Sequence, residues 1–337
     1  MKHHSYIEGD GVTCRESGGT PVKVLVALIA LIGVLGVLGI LWVRRHPLDF
    51  HEWTTRRELR SSGLEKTEVE VADRRLVVWR GGAESGAELV LLHGAGDQAG
   101  AWAKVVSGLM DYRLSAVDLP GHGDSEPAAG PLKYSTVLAG VEAYLDRRPQ
   151  PVILAGHSMG AWLAMVVAQR HPEGVSRVVA VNGGALRSEP PEGLSLMPQN
   201  RDQARRTMAA LRDPGSPPTP DFVLDDIVRR GASGPIGRLV QEFGDMEAHL
   251  LDGRLGEIAV PVDLVWGESD RYLTLDYARR MERELPRARL TTVPSCGHLP
   301  AIECPERFLE ILRRVLASEP PAGEPVEGDG GEGDDPR

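Results

Sequence analysis

The chain has 337 residues, 42 % of them apolar, enough for one large domain with a sizeable core and attachments. Its net charge of −10 is uneven: the last twenty residues hold seven acids and one arginine, which puts −6 on the tail and leaves −4 on the other 317 residues. No Lys/Arg-rich patch points to nucleic acid, no C-x-x-C or H-E-x-x-H spacing points to a metal, and Cys14, Cys296 and Cys304 form no regular disulfide framework, although Cys296 and Cys304 could pair in an oxidising compartment.

Residues 1–21 are a polar segment unlike the rest of the chain. Residues 24–43 then run VLVALIALIGVLGVLGILWV without a charge. As a helix this stretch spans about 30 Å, the thickness of a bilayer core. A buried core helix rarely stays apolar for so long, and the apolar part of a cleaved signal peptide is shorter and followed by a small-x-small site. Here the run ends in Trp42, Val43, Arg44 and Arg45, which resembles an interfacial anchor. One transmembrane helix is expected over 22–43, making the membrane a partner. Arg44, Arg45, Arg56, Arg57 and Arg60 follow it, against Lys2, Arg15 and Lys23 before it. The positive-inside rule then places the body in the cytoplasm. A chain beginning near Val22 would instead be free to present the body outward. Residues 44–65 read as an arginine-rich juxtamembrane helix plus linker.

Beyond residue 65, short apolar runs alternate with helical stretches. Residues 68–71 and 76–79 read as a hairpin around Ala72-Asp73-Arg74-Arg75. Runs at 89–92, 114–117, 152–155, 178–181, 262–266 and 290–293 read as strands, and 135–147, 159–170, 274–285 and 305–317 as helices. Wholly apolar strands alternating with helices predict an α/β fold whose mostly parallel sheet is covered on both faces. In such sheets ligands sit at the carboxyl ends of the strands. His93, Asp118, Ser158, Asn182, Asp270 and His298 all fall at or just beyond such ends or, for His298, in the turn after the last strand.

The alternation stops between 185 and 256. Pro190-Pro191 and Pro217-Pro218-Thr219-Pro220 there separate helix-like stretches at 199–212, 221–230 and 236–252. The segment lies between one strand end and the next strand, so it is expected to form a helical lid dividing the core into 66–184 and 257–317. Nine arginines against eleven acids give it no strong charge preference for a substrate. Residues 318–337 are poor in apolar groups and rich in Pro, Gly and acid, a composition expected to stay disordered.

Gly156-His157-Ser158-Met159-Gly160 matches G-x-S-x-G. A serine hydroxyl needs a base within hydrogen-bond reach to act as a nucleophile. A sharp turn between strand and helix presents the hydroxyl to that base, and glycines tolerate the strained turn and close backbone approach. Here the motif follows the apolar run PVILA and opens the helical AWLAMVVAQR, the context it requires.

From about residue 88 to 316 the chain resembles the α/β-hydrolase fold superfamily, through LLHGAG, DLPGHGDS, GHSMG, WGESD and GHLP in that order. The resemblance implies an eight-stranded, mostly parallel sheet and a serine hydrolase in which nucleophile, acid and histidine follow one another along the chain. Ser158, Asp270 and His298 obey that order. Asp270 would hold the imidazole in one tautomer and stabilise its cation, with Glu268 as the fallback. Some relatives carry the acid one strand earlier, where this chain has Asn182, which cannot serve. By the same resemblance the N–H groups of Ala95 and Met159 form the oxyanion hole. His122, His157, His171 and His249 are weaker candidates, and His157 is expected to point away from the serine. Asp118 and the Gly121–Ser125 run are expected to shape a loop; Trp102, Trp162 and Met165 could line a pocket, although Trp162 and Met165 fit the core better.

The expected reaction is hydrolysis of a carboxylic ester, lipid-like because the enzyme is held at a bilayer, through an acyl-enzyme and with no metal or organic cofactor required. Ser158 stands where epoxide hydrolases and haloalkane dehalogenases of this fold carry Asp, which argues against those reactions. Amide, thioester and carbon–carbon bond cleavage, cofactor-free perhydrolysis and a non-catalytic binding role remain as alternatives.

Overall fold

The computed structural model describes residues 20–71, 73–188 and 191–322. The polar segment ahead of Thr20, Cys14, the hairpin residue Ala72 and the tail beyond residue 322 lie outside the described residues. The chain divides into two compact units, Met1–His46 and Pro47–Arg337.

The first unit carries α1 (Thr20–Arg45), 26 residues long. At 1.5 Å per residue it extends about 39 Å. Within Val22–Arg45 an 18-residue window reaches mean hydropathy 3.1, and none of that window is buried within the protein. By length and composition α1 can cross a bilayer, and a signal sequence would meet the same description.

In the second unit, eight strands among the described residues form one sheet: β1 (Glu65–Val71), β2 (Arg74–Gly82), β3 (Glu88–Leu92), β4 (Arg113–Asp118), β5 (Val152–His157), β6 (Val175–Val181), β7 (Val262–Gly267) and β8 (Ala288–Val293). Their order is β1-β2-β4-β3-β5-β6-β7-β8. The pairs involving β2 are antiparallel and the rest are parallel. The hairpin strands run longer than their apolar cores because backbone pairing continues through Glu65, Lys66 and Gly82, whose side chains face outward or are absent.

Helices cover both faces, as strands without polar alternation demand. These are α2 (Pro47–Ser61), α3 (Ala103–Val106), α4 (Tyr134–Leu145), α5 (Met159–Arg170), α6 (Arg201–Leu211), α7 (Asp221–Gly231), α8 (Pro235–Val240), α9 (Phe243–Glu247), α10 (Leu275–Glu284), α11 (Pro300–Glu303) and α12 (Pro305–Ala317). Val90 and Leu92 of β3 pack with α4, α5 and α10 on one face. Leu89 and Leu91 of the same strand pack with Leu59 of α2 and with Phe308 and Leu312 of α12 on the other.

Two expected elements take a more specific form. The juxtamembrane helix expected within 44–65 is α2, and it packs on the body by burying Thr55 and Leu59, a pattern of one buried residue per turn that its arginines masked in the sequence. The single helix expected over 236–252 is broken into α8 and α9, and the residues after the break are bound to other parts of the fold. Asp245 accepts from the Ser135 N–H and hydroxyl at the start of α4 (both 2.8 Å). The His249 carbonyl accepts from the Trp162 indole (2.9 Å), and the Leu251 N–H donates to the Ala185 carbonyl (2.8 Å).

The helices α6–α9 form an insertion between β6 and β7, attached at several points. Arg238 donates to the carbonyls of Gly130 (2.7 Å), Pro127 (2.8 Å) and Gly121 (3.1 Å). Arg230 of α7 pairs with Glu52 (2.7 Å) and Asp49 of α2.

At the far end of the sheet Asp263, fully buried on β7, pairs with Arg177 (2.6 Å) and Arg289 (3.1 Å). Removing one partner of a buried ion pair leaves an uncompensated charge. Asp263→Ala is expected to cost about 3–5 kcal/mol, read as a shift of the guanidinium unfolding midpoint of the detergent-solubilised protein; a loss below 1 kcal/mol would mean that the arginines find water or other acceptors.

Candidate active site

The sharp turn after β5 puts Ser158 at φ 52°, ψ −116°, a conformation L-residues rarely hold. Its N–H donates to the Val181 carbonyl (3.0 Å), and its carbonyl accepts from Ala161 (3.0 Å), which fixes the turn on both sides. The flanking glycines are required by space: a Cβ on Gly156 would lie 2.2 Å from the Gly160 backbone, and one on Gly160 would lie 2.3 Å from the Leu92 carbonyl oxygen. The strand end, the helix start and β3 are in backbone contact here, and no side chain fits between them.

His298 lies in the loop after β8. Its Nε2 is 3.1 Å from the Ser158 Oγ and its Nδ1 is 2.7 Å from the Asp270 Oδ2. A carboxylate only accepts, so Nδ1 carries the hydrogen and Nε2 offers its lone pair to the serine hydroxyl. The histidine backbone is tied as well. Its N–H donates to the Leu211 carbonyl of α6 (2.7 Å), and a Cβ on Gly297 would meet that same oxygen at 2.5 Å. A disulfide joins Cys296 to Cys304 around the loop.

Asp270, in the turn after β7, is buried together with His298. Its Oδ1 accepts from the N–H groups of Tyr272 and Leu273 (2.9 Å each), and its Oδ2 accepts from Asn182 (2.8 Å) as well as from His298. Asn182 also accepts from the Gly267 N–H (3.2 Å). A residue dismissed in the sequence as unable to be the acid therefore holds the acid in place. Its position at the end of β6, beside the acid-bearing turn, was the available signal. Glu268 is exposed and bonds Thr292 (2.8 Å), away from His298.

Ala95 and Met159 flank the serine turn. No bond from either N–H to another described residue is present, so both donors remain open. Gly94 runs directly past Ser158, where a Cβ would lie 3.2 Å from the serine Cβ. His93 sets this loop: its Nε2 accepts from the Leu119 N–H (2.9 Å) and its Nδ1–H donates to the Gly94 carbonyl (2.7 Å). Asp118 holds the next turn by accepting from Ala99 (2.7 Å) and Asp124 (3.0 Å).

The His157 ring makes no hydrogen bond to the serine hydroxyl among the described residues, in keeping with expectation; beyond that expectation it lies against His298, with centroids 5.1 Å apart, and its Nε2–H donates to the His298 carbonyl (2.7 Å). The sequence could not show this, because the contact joins residues 141 positions apart. His171 sits at the surface near Glu142 and Glu173, and His249 lies beside Tyr134 and Trp162. Trp162 and Met165 are core residues. Trp102 lines a small apolar cavity with Val181, Leu299 and Phe308, where Asp97 and His157 supply the polar edge.

Burial controls the charge of these groups. Desolvation pushes His157 down to about 3 and His122 down to about 4, and it holds His93 well below the usual range. It raises the Asp97 carboxyl to about 7 and raises Asp118. An unfolded imidazole with a pKa near 6.5 takes up a proton that these buried rings refuse. The two carboxyls act oppositely, since the folded protein keeps protons that the unfolded chain has lost. Unfolding between about pH 6.5 and 4 therefore takes up a net one to two protons, and stability is expected to fall by about 1–3 kcal/mol per pH unit of acidification. Guanidinium titrations at a series of pH values test this, and His122→Gln should lower the slope by about one proton. A flat profile would overturn it.

A model of the alpha/beta hydrolase family matches residues 89–311. The chain is 31 % identical over 260 residues to a pimeloyl-[acyl-carrier protein] methyl ester esterase of Nitrosomonas europaea, covering 68 % of this chain and 95 % of that protein. It is 30 % identical over 262 residues to a 2-hydroxy-6-oxononadienedioate/2-hydroxy-6-oxononatrienedioate hydrolase of Cupriavidus pinatubonensis, covering 69 % and 88 % of the two chains. Among solved structures it resembles a membrane phospholipase A described as a bacterial virulence factor, with TM-score 0.68 and 25 % identity over 87 % of this chain and 97 % of that one.

Proposed function

Because the chain belongs to the alpha/beta hydrolase family and is a hydrolase, we propose that it cleaves a carboxylic ester with a lipid-like acyl group through a serine acyl-enzyme. The observation that carries this reading is the unbroken relay from Asp270 through His298 to the Ser158 hydroxyl.

Ser158 attacks the acyl carbonyl as its proton passes to His298 Nε2. The imidazolium that forms is stabilised by Asp270, which stays ionised. The tetrahedral oxyanion takes hydrogen bonds from the N–H groups of Ala95 and Met159, donors worth about 3–4 kcal/mol each when aimed at the developing charge. His298 returns the proton to the alkoxide leaving group as the carbon–oxygen bond breaks. Water then gives a proton to His298 and attacks the acyl-enzyme; collapse releases the acid and restores the serine hydroxyl. Every proton moves between Ser158, His298, water and the leaving group, so the sequence needs no cofactor.

The ester reading is supported by the esterase relative, and the lipid-like substrate by the membrane phospholipase A and by α1. We read α1 as a single-pass anchor and the insertion α6–α9 as a cap over the site. The Cys296–Cys304 bond fits an oxidising compartment and so favours presentation of the body outside the cytoplasm. Carbon–carbon bond hydrolysis is the second reading, favoured by the dienedioate hydrolase relative.

Fluorophosphonate labelling and turnover of p-nitrophenyl esters of rising chain length, alongside a phospholipid and a 2-hydroxy-6-oxo-dienoate, test these readings. Labelling with ester turnover that rises with chain length is expected. Dienoate turnover without ester turnover would move the second reading to first place, and an unlabelled serine would sink both.

A further inference from the structure

We propose that the outer face of α2, formed by Phe50, Trp53 and Arg57, seats the hydrolase body on the headgroup region of a lipid bilayer; this rests on the reading of α1 as an anchor. Positions 50, 53 and 57 share one side of a helix, opposite the buried Thr55 and Leu59. Phe50 is 38 % and Trp53 55 % exposed, and they are two of the three exposed large apolar side chains among the described residues of the body. Their rings stack at 5.8 Å, and the Arg57 guanidinium lies 5.8 Å over the Trp53 ring. An aromatic pair beside a cation on an aliphatic stem is the chemistry of the membrane–water boundary, where tryptophan rings sit at headgroup depth and arginine reaches phosphate.

The covalent chain names the occupant. Arg45 ends the apolar helix and Pro47 opens α2, and two peptide units span no more than about 7 Å. If Arg45 lies at a bilayer surface, so does the first turn of α2. The exposed pair is also far smaller than the roughly 800 Å² per partner of a stable protein interface.

The same helix is bound to the site. Thr55 accepts from Gln98 in the loop after Ala95 (3.0 Å), and a Cβ on Gly100 would collide with Thr55 at 2.4 Å. Leu48 donates to Asp226 of α7 (3.1 Å), beside the Arg230 pairs to Asp49 and Glu52. A bilayer holding α2 therefore holds the oxyanion loop and the capping insertion near the headgroups, and the substrate class this favours is an ester resident in that bilayer.

Trp79, Trp102, Trp162 and Trp266 are buried, which leaves Trp42 and Trp53 to meet lipid. The full chain is reconstituted into phosphatidylcholine vesicles containing phosphatidylglycerol and lipids brominated high on the acyl chain. Trp53→Phe is expected to remove about half of the quenchable emission, one of two equivalent reporters. Unchanged quenching in Trp53→Phe with a loss in Trp42→Phe overturns the seating of α2 and leaves the anchor standing. No loss in either variant overturns both. A Trp53 shielded from lipid in a cross-linkable pair of chains assigns the face to a second copy and likewise overturns the proposal. In the Phe50→Ser/Trp53→Ser variant, KM for the vesicle-borne ester is expected to rise about tenfold, equivalent to 1.4 kcal/mol, with turnover of a soluble short ester unchanged. Failure of the esterase reading would appear as no turnover of either ester and would leave the quenching result intact.

Discussion

Ser158→Ala is expected to lower kcat on a soluble p-nitrophenyl ester by about 10⁴–10⁶-fold and to abolish fluorophosphonate labelling, with little change in KM. The size follows from what is lost. The hydroxyl is the only group that can form the acyl-enzyme, and without it the imidazole and the two backbone donors can only assist direct attack by water. Such residual machinery still exceeds the uncatalysed rate by about 10³–10⁴-fold, so the variant should not fall to the rate of buffer. The substitution also tests strain. Alanine at φ 52° is no more comfortable than serine, so the unfolding midpoint should stay close to wild type. Equal rates for the two proteins would end the proposed mechanism.

Asp270→Asn is expected to cost about 10⁴-fold in kcat while leaving the fold intact. An amide in place of the carboxylate either presents N–H to Nδ1 or keeps only a weak acceptor there. The imidazole then loses its reason to carry hydrogen on Nδ1, and in the other tautomer Nε2 points a hydrogen at Ser158 in place of a lone pair. The loss of negative charge also removes stabilisation of the imidazolium. Asn182 makes this substitution distinctive. Its Nδ2–H donates to the oxygen that accepts from His298, so two amides would compete for one corner. Adding Asn182→Asp to Asp270→Asn returns a carboxylate one hydrogen bond from the imidazole and is expected to recover part of the lost rate. A double variant no better than the single one would show that the carboxylate works only from the β7 turn. The readout is the pH profile of kcat/KM, since a purely structural loss would not change its shape.

The insertion α6–α9 bears on both experiments. Its α6 supplies the carbonyl that holds the His298 N–H, and its α8 places Ile236 against Gly96 of the loop after β3, where a Cβ would lie 2.7 Å from the Ile236 side chain. Substitutions at the tip of α6 would therefore register as changes in the histidine, even though α6 adds no side chain to the relay.

The strand runs and the elbow were legible because each is local, and the roles expected for Asp270 and His298 came from the resemblance carried by the ordered motifs. An apolar run of four to six residues, a glycine pair flanking a serine, and a polar residue at a strand end each state their constraint within a few positions. What the sequence could not carry were contacts between remote segments. His157 meeting the His298 carbonyl, Asn182 holding Asp270, and Leu211 pinning the histidine backbone join positions 88 to 141 apart or cross between core and insertion. The same holds for α2, whose packing through Thr55 and Leu59 its arginines concealed, and for the break between α8 and α9. Residue types and short-range periodicity determine which chemistry is available and on which element it rides. Only the packing of those elements decides which neutral, desolvated groups surround it, because desolvation and hydrogen-bond partnership depend on distance in space and not on distance along the chain.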